Sequence, residues 1–309
     1  MNSKNSIIKK QTNIKTSNLS KIQNKPPQIK QQNQQIKQQK GPNKQQQIIK
    51  PNISYNYYDR INFISLKGKR ATNEDNHLIY KNNNYEVYGI FDGHGGKGVS
   101  LYLTEIIQKL LNNNAFKIPL RKDNVKNICF LIQNKIKENP KLSIQGSTCL
   151  LLFKFDNKFQ VINVGDSRCI ICSNNKPIQV TRDHKPIDPL EAERIKKMGG
   201  KITFDGVNYR INGLSLSRAF GDCETNYTEP FPEIFSKVIT NKDKFIILGC
   251  DGLYETLDNN TICNFILYNS FDKNGLRINK NINMAEKLGR LAIKNGSEDN
   301  VSVIIIYLQ

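Results

Sequence analysis

Short apolar runs recur along the chain from about Tyr55 onwards, and each has the length of a β-strand. A run of roughly four to eight apolar residues between turn-forming residues indicates a buried strand. The sequence predicts such strands at Ile61–Leu66, Glu86–Phe91, Thr148–Phe155, Phe159–Val164, Cys169–Cys172, Lys244–Cys250 and Val301–Leu308.

Longer segments between these runs have apolar residues at helical spacing. In one of them, Leu101, Ile106 and Leu110 are expected on an apolar face. Another opens with Pro189, which the first turn of a helix tolerates. Neighbouring strands with helices inserted in pairs favour packed sheets with helices outside over a doubly wound parallel sheet. The predicted helices cover residues 99–111, Asp123–Glu138, Pro189–Met198, Thr261–Tyr268 and Met284–Lys294.

The composition of the first 50 residues differs from that of the rest. They contain no Asp, Glu, Arg, Phe or Tyr, and their eleven Lys supply +11 of the formal net charge of +19, leaving +8 for residues 51–309. Such a segment cannot bury enough apolar surface to fold, so we predict a disordered Lys/Gln/Asn-rich tail over residues 1–54 and a folded domain over residues 55–309. The charge would attract nucleic acid or acidic partners weakly. We favour a solvated tail, because residues 1–50 hold no aromatic side chain to stack on bases.

The seven cysteines are odd in number, and several lie in apolar runs, which indicates reduced, buried thiols. Cys169 and Cys172 form a C-x-x-C motif without a second pair, and residues three apart on a strand face opposite ways, so we expect no shared metal or redox site. No apolar run approaches the ~20 residues of a membrane span, and no signal peptide or myristoylation signal is recognisable. We therefore expect an intracellular protein, in the cytoplasm or the nucleus.

Carboxylates stand at the ends of several apolar runs. VYGIFDG ends in Asp92 and its glycine, and FIILGCDG ends in Asp251 and its glycine. A strand end holds such a side chain rigidly beside a cleft, and carboxylates that meet there repel each other unless cations neutralise them. Oxygen ligands suit Mg²⁺ or Mn²⁺, whereas a chain with three His gives zinc few ligands. The candidate carboxylates are Glu74, Asp75, Asp92, Asp166, Asp251 and Asp299.

The segment GIFDGHGGKG also matches the G-x-G-x-x-G pattern of dinucleotide-binding folds, through Gly93, Gly95 and Gly98. That reading requires an acidic residue about 20 positions later, where the chain instead has NNNAFK. We therefore prefer the metal interpretation.

Eight short motifs occur in the order found in the metal-dependent protein serine/threonine phosphatases of type 2C, and the chain resembles that family from about Asn62 to Leu308. The motifs are RATNED, YGIFDGHGG, GST at Gly146–Thr148, VGDSR, TRDHKP, LSLSRAFGD, CDGLYE and GSEDN.

The resemblance implies a centre of two cations, Mg²⁺ or Mn²⁺, with a weaker third cation in some members. Asp92 and the carbonyl oxygen of Gly93 correspond to the bridging ligands. The further ligands implied are Asp251 and Asp299, Glu74 and Asp75 directly or through water, and Asp166 with Asp251 at the third site.

The resemblance also implies that Arg70 holds the substrate phosphate and that His94 is the general acid; the alternative for His94 is a turn cap. We expect His77 and His184 to be structural, and Arg218 and Asp222 to form a buried structural pair.

Two departures from the family pattern concern specificity. Glu255 stands where the family usually has Asp, which is expected to weaken the third cation site. The segment between Ile187 and Leu216 is short, so the flap beside the site is expected to be reduced.

Taken together, the sequence predicts an α/β (α+β) fold, a four-layer α/β/β/α sandwich of two mostly antiparallel sheets flanked by helix pairs. The predicted function is hydrolysis of phosphoserine and phosphothreonine in proteins by metal-activated water, by a monomer acting on a phosphoprotein. One alternative is a catalytically weak phosphatase-like module that binds a phosphoprotein or regulates a kinase. The other is a nucleic-acid-associated protein acting through the basic tail.

Overall fold

The structure is a computed structural model of the chain and describes residues 60–308. The predicted tail, residues 1–54, lies outside the described residues, and the domain boundary at residue 55 stays a prediction. The strands are β1 (Ile61–Leu66), β2 (Asn76–Lys81), β3 (Glu86–Phe91), β4 (Gly93–His94), β5 (Gly146–Ser147), β6 (Cys149–Phe155), β7 (Lys158–Val164), β8 (Arg168–Ser173), β9 (Lys176–Gln179), β10 (Thr203–Phe204), β11 (Tyr209–Arg210), β12 (Phe220–Gly221), β13 (Glu233–Val238), β14 (Asp243–Gly249) and β15 (Val301–Tyr307).

Four of the seven helices within residues 60–308 begin at a residue whose side chain caps the first turn. The carboxylate of Asp188 accepts hydrogen bonds from two backbone N–H groups of the fourth helix, whose first residue is Pro189. Within residues 60–308, no helix combines the length and apolar character needed to cross a membrane. The helices are α1 (Gly98–Asn112), α2 (Lys122–Lys137), α3 (Pro140–Ser143), α4 (Pro189–Lys197), α5 (Asp251–Tyr254), α6 (Asn259–Ser270) and α7 (Met284–Lys294).

Two five-stranded antiparallel sheets form the centre of the described domain. Sheet I has the strand order β1-β15-β14-β8-β9, and sheet II has the order β13-β7-β6-β3-β2. A short three-stranded sheet, β12-β5-β4, extends the region beyond the end of β3, and β10 pairs with β11 in a hairpin. The sheets therefore bring distant parts of the chain to common edges.

Three apolar clusters hold these elements together. Side chains of α1 and α2 pack on sheet II, and side chains of α6 and α7 pack on sheet I. A third cluster contains residues of both sheets, such as Tyr88 and Leu150 of sheet II and Ile246 and Ile304 of sheet I. Full burial of one such side chain stabilises the fold by about 1.5–3 kcal/mol. The predicted mixed α/β fold with antiparallel sheets is confirmed, and the exact four-layer order stays a prediction.

The cysteines follow the strand geometry. Cys169 belongs to the cluster shared by the two sheets, whereas Cys172 faces the helices that cover sheet I. The two thiols of the C-x-x-C motif thus point to opposite faces and do not form one site. All seven cysteines lie within the described residues and are free thiols.

Two details of the local predictions are wrong or incomplete. The buried face of α1 is formed by Val99, Leu103, Ile107 and Leu111, four residues apart, whereas Leu101 is 42% exposed. Within the two five-stranded sheets, strands β2, β9 and β13 have no predicted counterpart. Each of them lies at the edge of its sheet and is only partly buried, so its apolar signal is weak.

A buried ionic network fixes the chain between α4 and β12. Glu191 of α4 is fully buried and pairs with Arg218, with the Arg194 guanidinium at 3.0 Å and with the hydroxyl of Ser217 at 2.9 Å. Burial alone would raise the pKa of Glu191, but the hydrogen bond and charge of Arg218 hold it at about 2. This network anchors the segment that leads to the cleft-lining residues Ser215 and Leu216.

We expect Glu191→Gln to lower the free energy of unfolding by about 3–5 kcal/mol, because two guanidinium groups lose their buried counter-charge. Urea denaturation at pH 7 measures this loss. Because the folded pKa lies below the ordinary value of 4.5, the stabilisation is complete above pH 4.5 and is lost as the pH falls towards 2. The difference between the variant and the wild type should therefore shrink in acid.

The control is Glu193→Gln, two residues further along the same helix. Glu193 pairs with Lys197 on the surface, where both side chains are more than half exposed. Its replacement should leave stability unchanged. Equal losses in the two variants would contradict the role assigned to the buried network.

Candidate functional site

Four strands from the two sheets end at one cleft of about 360 Å³. Asp92 follows β3 and Asp166 lies just beyond β7, both in sheet II. Asp251 follows β14 and Asp299 precedes β15, both in sheet I. Eight of the nine residues predicted for the site line this cleft, namely Arg70, Glu74, Asp92, Gly93, His94, Asp166, Asp251 and Asp299.

The glycines that follow Asp92 and Asp251 allow other parts of the chain to approach. A Cβ atom on Gly93 would collide with the carbonyl oxygen of Glu74, and one on Gly252 would collide with the carbonyl oxygen of Asn300. The absence of a side chain at these positions therefore brings Glu74 and Asp299 beside the strand ends.

Asn300 joins these two segments and was not singled out from the sequence. Its side-chain oxygen accepts a hydrogen bond from the backbone N–H of Glu74 at 2.8 Å. Its amide nitrogen donates to the carbonyl oxygens of Lys67 at 2.7 Å and Thr72 at 2.9 Å. The loop that carries Arg70 is thus tied to the residue next to Asp299.

Asp75, the ninth predicted residue, lies behind the cleft. Its side chain is 6% exposed, and neither carboxylate oxygen has a hydrogen-bond partner among the described residues. Ligand atoms of Asp75, Asp92 and Cys250 lie within 4.8 Å of one another. A buried carboxylate without partners is costly, and a cation would satisfy it.

A second group of possible ligands contains Glu255. Oxygens of Asp251, Glu255 and Asp299 also lie within 4.8 Å of one another. The longer Glu side chain, which departs from the family pattern, therefore reaches the same place as the two predicted carboxylates.

Electrostatic repulsion and burial perturb these acids strongly. Burial, followed by the charges of Asp251 and Asp75, raises the pKa of Asp92 well above its ordinary value. Burial and the Asp166 charge raise the pKa of Asp251 to about 7, and burial raises that of Asp75 to about 6. Burial likewise raises the pKa of the Cys250 thiol, which leaves carboxylates as the charged donors. This donor set fits hard divalent cations, which would favour the ionised form of each acid.

Arg70 supplies positive charge at the rim of the cleft. Its Nη2 atom donates to Oδ2 of Asp299 at 2.6 Å, while 58% of its side chain remains exposed. The guanidinium is therefore accessible to a ligand in the cleft and sits directly beside a candidate metal ligand.

Lys185 supplies a second positive charge that sequence reasoning missed. Its ammonium group pairs with Asp166 and lies 3.8 Å from Oδ2 of Asp251. Burial alone would lower the pKa of Lys185, but these carboxylates keep it above its ordinary value. The motif TRDHKP contained the residue, yet its partner Asp166 lies 19 positions earlier in the chain.

His94 pairs with Asp222, at 2.8 Å between Nε2 and Oδ2. Burial would lower the pKa of His94, but the hydrogen bond and charge of Asp222 raise it overall. The expectation that Asp222 pairs with Arg218 is wrong, because Arg218 turns to Glu191 and the Asp222 carboxylate faces His94. A carboxylate beside an imidazole favours the charged ring.

The short segment after Ile187 forms α4 and the β10–β11 hairpin. Arg210 on β11 lines the cleft and pairs with Asp205 across the hairpin turn. His184, expected to be structural, is fully buried, and its Nδ1 accepts a hydrogen bond from the backbone N–H of Gly165 at 3.0 Å. His77 packs on the ring of Phe63, at 4.8 Å between centroids.

A family model and curated relatives both match this chain as a protein phosphatase. Residues 59–301 match the family described as Protein phosphatase 2C. The chain is similar to Probable protein phosphatase 2C 3 of Paramecium tetraurelia, with 32% identity over 79% of this chain and 90% of that protein.

Solved structures share the fold. A sex-determining protein of C. elegans superposes with a TM-score of 0.71 and 27% identity, covering 81% of this chain but only 64% of that one. A serine-threonine phosphatase 2C of Toxoplasma gondii superposes with a TM-score of 0.68 at 19% identity, covering 81% of this chain and 94% of that one, and supports the fold alone.

The family match spans most of the chain and includes every carboxylate that lines the acidic cleft. The order of the motifs, the two antiparallel sheets and the carboxylates at their ends agree with it. The chain belongs to the protein phosphatase 2C family.

Proposed function

We propose that this protein hydrolyses phosphoserine and phosphothreonine in proteins, using Mg²⁺ or Mn²⁺ held in the acidic cleft. The observation that carries the proposal is the meeting of carboxylates from both sheets beside an accessible arginine and a paired histidine. The partner is a phosphoprotein, and the monomeric state and intracellular location inferred from the sequence remain predictions.

The proposed ligands include two groups of neighbouring side chains, one around Asp92 and one around Asp251. When bound, two divalent cations would act as Lewis acids that lower the pKa of a water molecule and offset charge on the phosphate. Lys185 already gives positive charge to Asp166 and Asp251, so we expect a third cation to bind there more weakly. The proposed ligand set is Glu74, Asp75, Asp92, the carbonyl of Gly93, Asp166, Asp251 and Asp299, and Glu255 joins it through its contact with Asp251 and Asp299.

In this proposal Arg70 binds the substrate phosphate. Its guanidinium can present two N–H groups to phosphate oxygens, which fixes the orientation of the phosphate and stabilises charge in the transition state. Arg70 has to exchange its contact with Asp299 for the phosphate, and its exposure makes this exchange feasible.

His94 is proposed as the general acid. A protonated imidazole in the cleft can donate a proton to the departing Ser or Thr oxygen, an effect worth roughly 10²–10⁴-fold in rate. The Asp222 carboxylate, 2.8 Å from Nε2 of His94, favours the protonated ring.

The first prediction for the cleft concerns cation binding without catalysis. We expect Asp251→Asn to stabilise the cation-free protein by about 0.5–2 kcal/mol, because it removes one charge from a group of mutually repelling acids. The same variant should lose most of the rise in melting temperature that Mn²⁺ gives the wild type. Thermal unfolding in chelator and in Mn²⁺ measures both effects. Equal Mn²⁺-induced shifts in the two proteins would contradict Asp251 as a ligand.

The second prediction concerns the reaction. Phosphate release from a phosphothreonine peptide should require Mn²⁺ or Mg²⁺ and stop in chelator. Asp92→Asn should lower kcat/KM by at least about 10²-fold, since it removes a direct ligand. Wild-type protein that folds and binds the peptide but releases no phosphate with either cation would instead favour the phosphopeptide-binding alternative.

The third prediction separates phosphate binding from general surface charge. Arg70→Ala should lower kcat/KM by about 10²-fold. Lys69→Ala is the matched control, because Lys69 is adjacent, carries the same charge and pairs with exposed Glu298 at 3.8 Å. The control should stay within about twofold of the wild type. Similar losses in both variants would mean that the rim acts through net charge rather than through a specific Arg70 contact.

A further inference from the structure

His94 and Asp222 are brought together by the short sheet β12-β5-β4. His94 on β4 stands opposite Gly146 on β5, and Gly146 stands opposite Gly221 on β12. Asp222 directly follows Gly221, so its carboxylate meets the imidazole across the central strand. The side chains of His94 and Asp222 are 26% and 7% exposed, which places the pair at the wall of the cleft.

Gly146 provides the space for this pair. A Cβ atom at position 146 would collide with both Nε2 of His94 and Oδ2 of Asp222. The strand between the two residues thus lacks a side chain at the point where they meet. The contact therefore passes over the backbone of the sheet and has a fixed geometry.

The backbone of Asp222 is also held in an uncommon conformation. Its φ of +46° lies in the left-handed region, which Asp, Asn and Gly adopt most readily. Its N–H donates to the carbonyl oxygen of Gln145 at 2.9 Å, and its carbonyl oxygen accepts from the N–H of Thr225 at 2.9 Å. These two backbone hydrogen bonds fix the backbone of Asp222 and so direct its carboxylate towards the imidazole.

We infer that Asp222 is a positioning residue for His94: its carboxylate accepts the Nε2 hydrogen and so presents Nδ1 to the leaving oxygen of the substrate. The inference rests on the proposed phosphatase activity. Nε2 of His94 is hydrogen-bonded to Asp222, whereas Nδ1 of His94 makes no hydrogen bond with the described residues. Nδ1 is therefore the nitrogen left to act in the cleft.

The chemical step assigns each proton. A bond forms between phosphorus and a water oxygen while the bond between phosphorus and the Ser or Thr oxygen breaks. The Nδ1 proton moves to the departing oxygen. The Nε2 proton stays on the imidazole, where it is hydrogen-bonded to the carboxylate of Asp222. The proton lost by water restores the imidazolium, so phosphate and the free hydroxyl are the products.

The test compares two leaving groups with the full-length protein in Mn²⁺. A phosphothreonine peptide has a poor leaving oxygen that needs the proton, whereas p-nitrophenyl phosphate releases a phenolate that leaves without one. Asp222→Asn keeps the size and the backbone preference of the residue. We expect it to lower kcat on the peptide by about 10–100-fold, with an unchanged KM and a change within about threefold on p-nitrophenyl phosphate.

Two further variants guard against an effect on folding. Asp222→Gly accepts the same backbone conformation and should show the same discrimination between substrates. Asp156→Asn is the matched control, because Asp156 has a φ of +47° but lies in the turn between β6 and β7, away from the cleft-lining residues. It should leave both activities unchanged.

A double variant tests whether Asp222 acts through His94. His94→Gln should reduce kcat on the peptide at least as strongly as Asp222→Asn, and adding Asp222→Asn to it should cause no further loss. Additive losses, or equal losses on both substrates, would overturn the positioning role and indicate a structural one. Full peptide activity in Asp222→Asn would overturn it as well, while the proposed phosphatase function would stand. Wild-type protein inactive on both substrates would sink the proposed function first.

Discussion

The structure depends on a local conflict: several carboxylates are buried close together at the ends of strands from two sheets. Such charges repel each other and lose hydration, so the fold must hold them by other means. The effect is clear at Asp92 and Asp251, because burial raises the pKa of both carboxyl groups. Arg70 and Lys185 offset part of the charge, and the remaining demand is what makes the cleft suited to divalent cations.

Packing, hydrogen bonds and ion pairs hold the scaffold around the cleft in place. Apolar clusters anchor the strands, Asn300 ties the Arg70 loop to the Asp299 segment, and Glu191 fixes the chain beneath the cleft rim. These contacts lie outside the reacting groups but set their positions. Stability gained in the core and in the ionic network therefore compensates for the repulsion between the buried carboxylates. Functional sites commonly carry such a cost in stability.

The cleft divides the proposed reaction between two sides. On one side, sheet I contributes Asp251 and Asp299, and Arg70 stands beside Asp299. On the other, the short sheet carries His94 with Asp222. In the proposed reaction, Asp251, Asp299 and Arg70 serve cation and phosphate binding, and His94 serves proton donation.

Local sequence was enough to predict the central strands and the acids at their ends, because a buried strand needs a continuous apolar run and an Asp-Gly pair marks its end. Ile61–Leu66 and Glu86–Phe91 were predicted with the observed bounds, whereas the half-buried edge strands Asn76–Lys81 and Glu233–Val238 left too little apolar signal. Which charged side chains pair with each other depends on the folded arrangement of the strands. Asp222 reaches His94 across 128 positions of sequence, and Arg218 turns to Glu191 instead. Side-chain pairing of this kind depends on sheet topology and on the space left by Gly146, and neither is encoded in local periodicity.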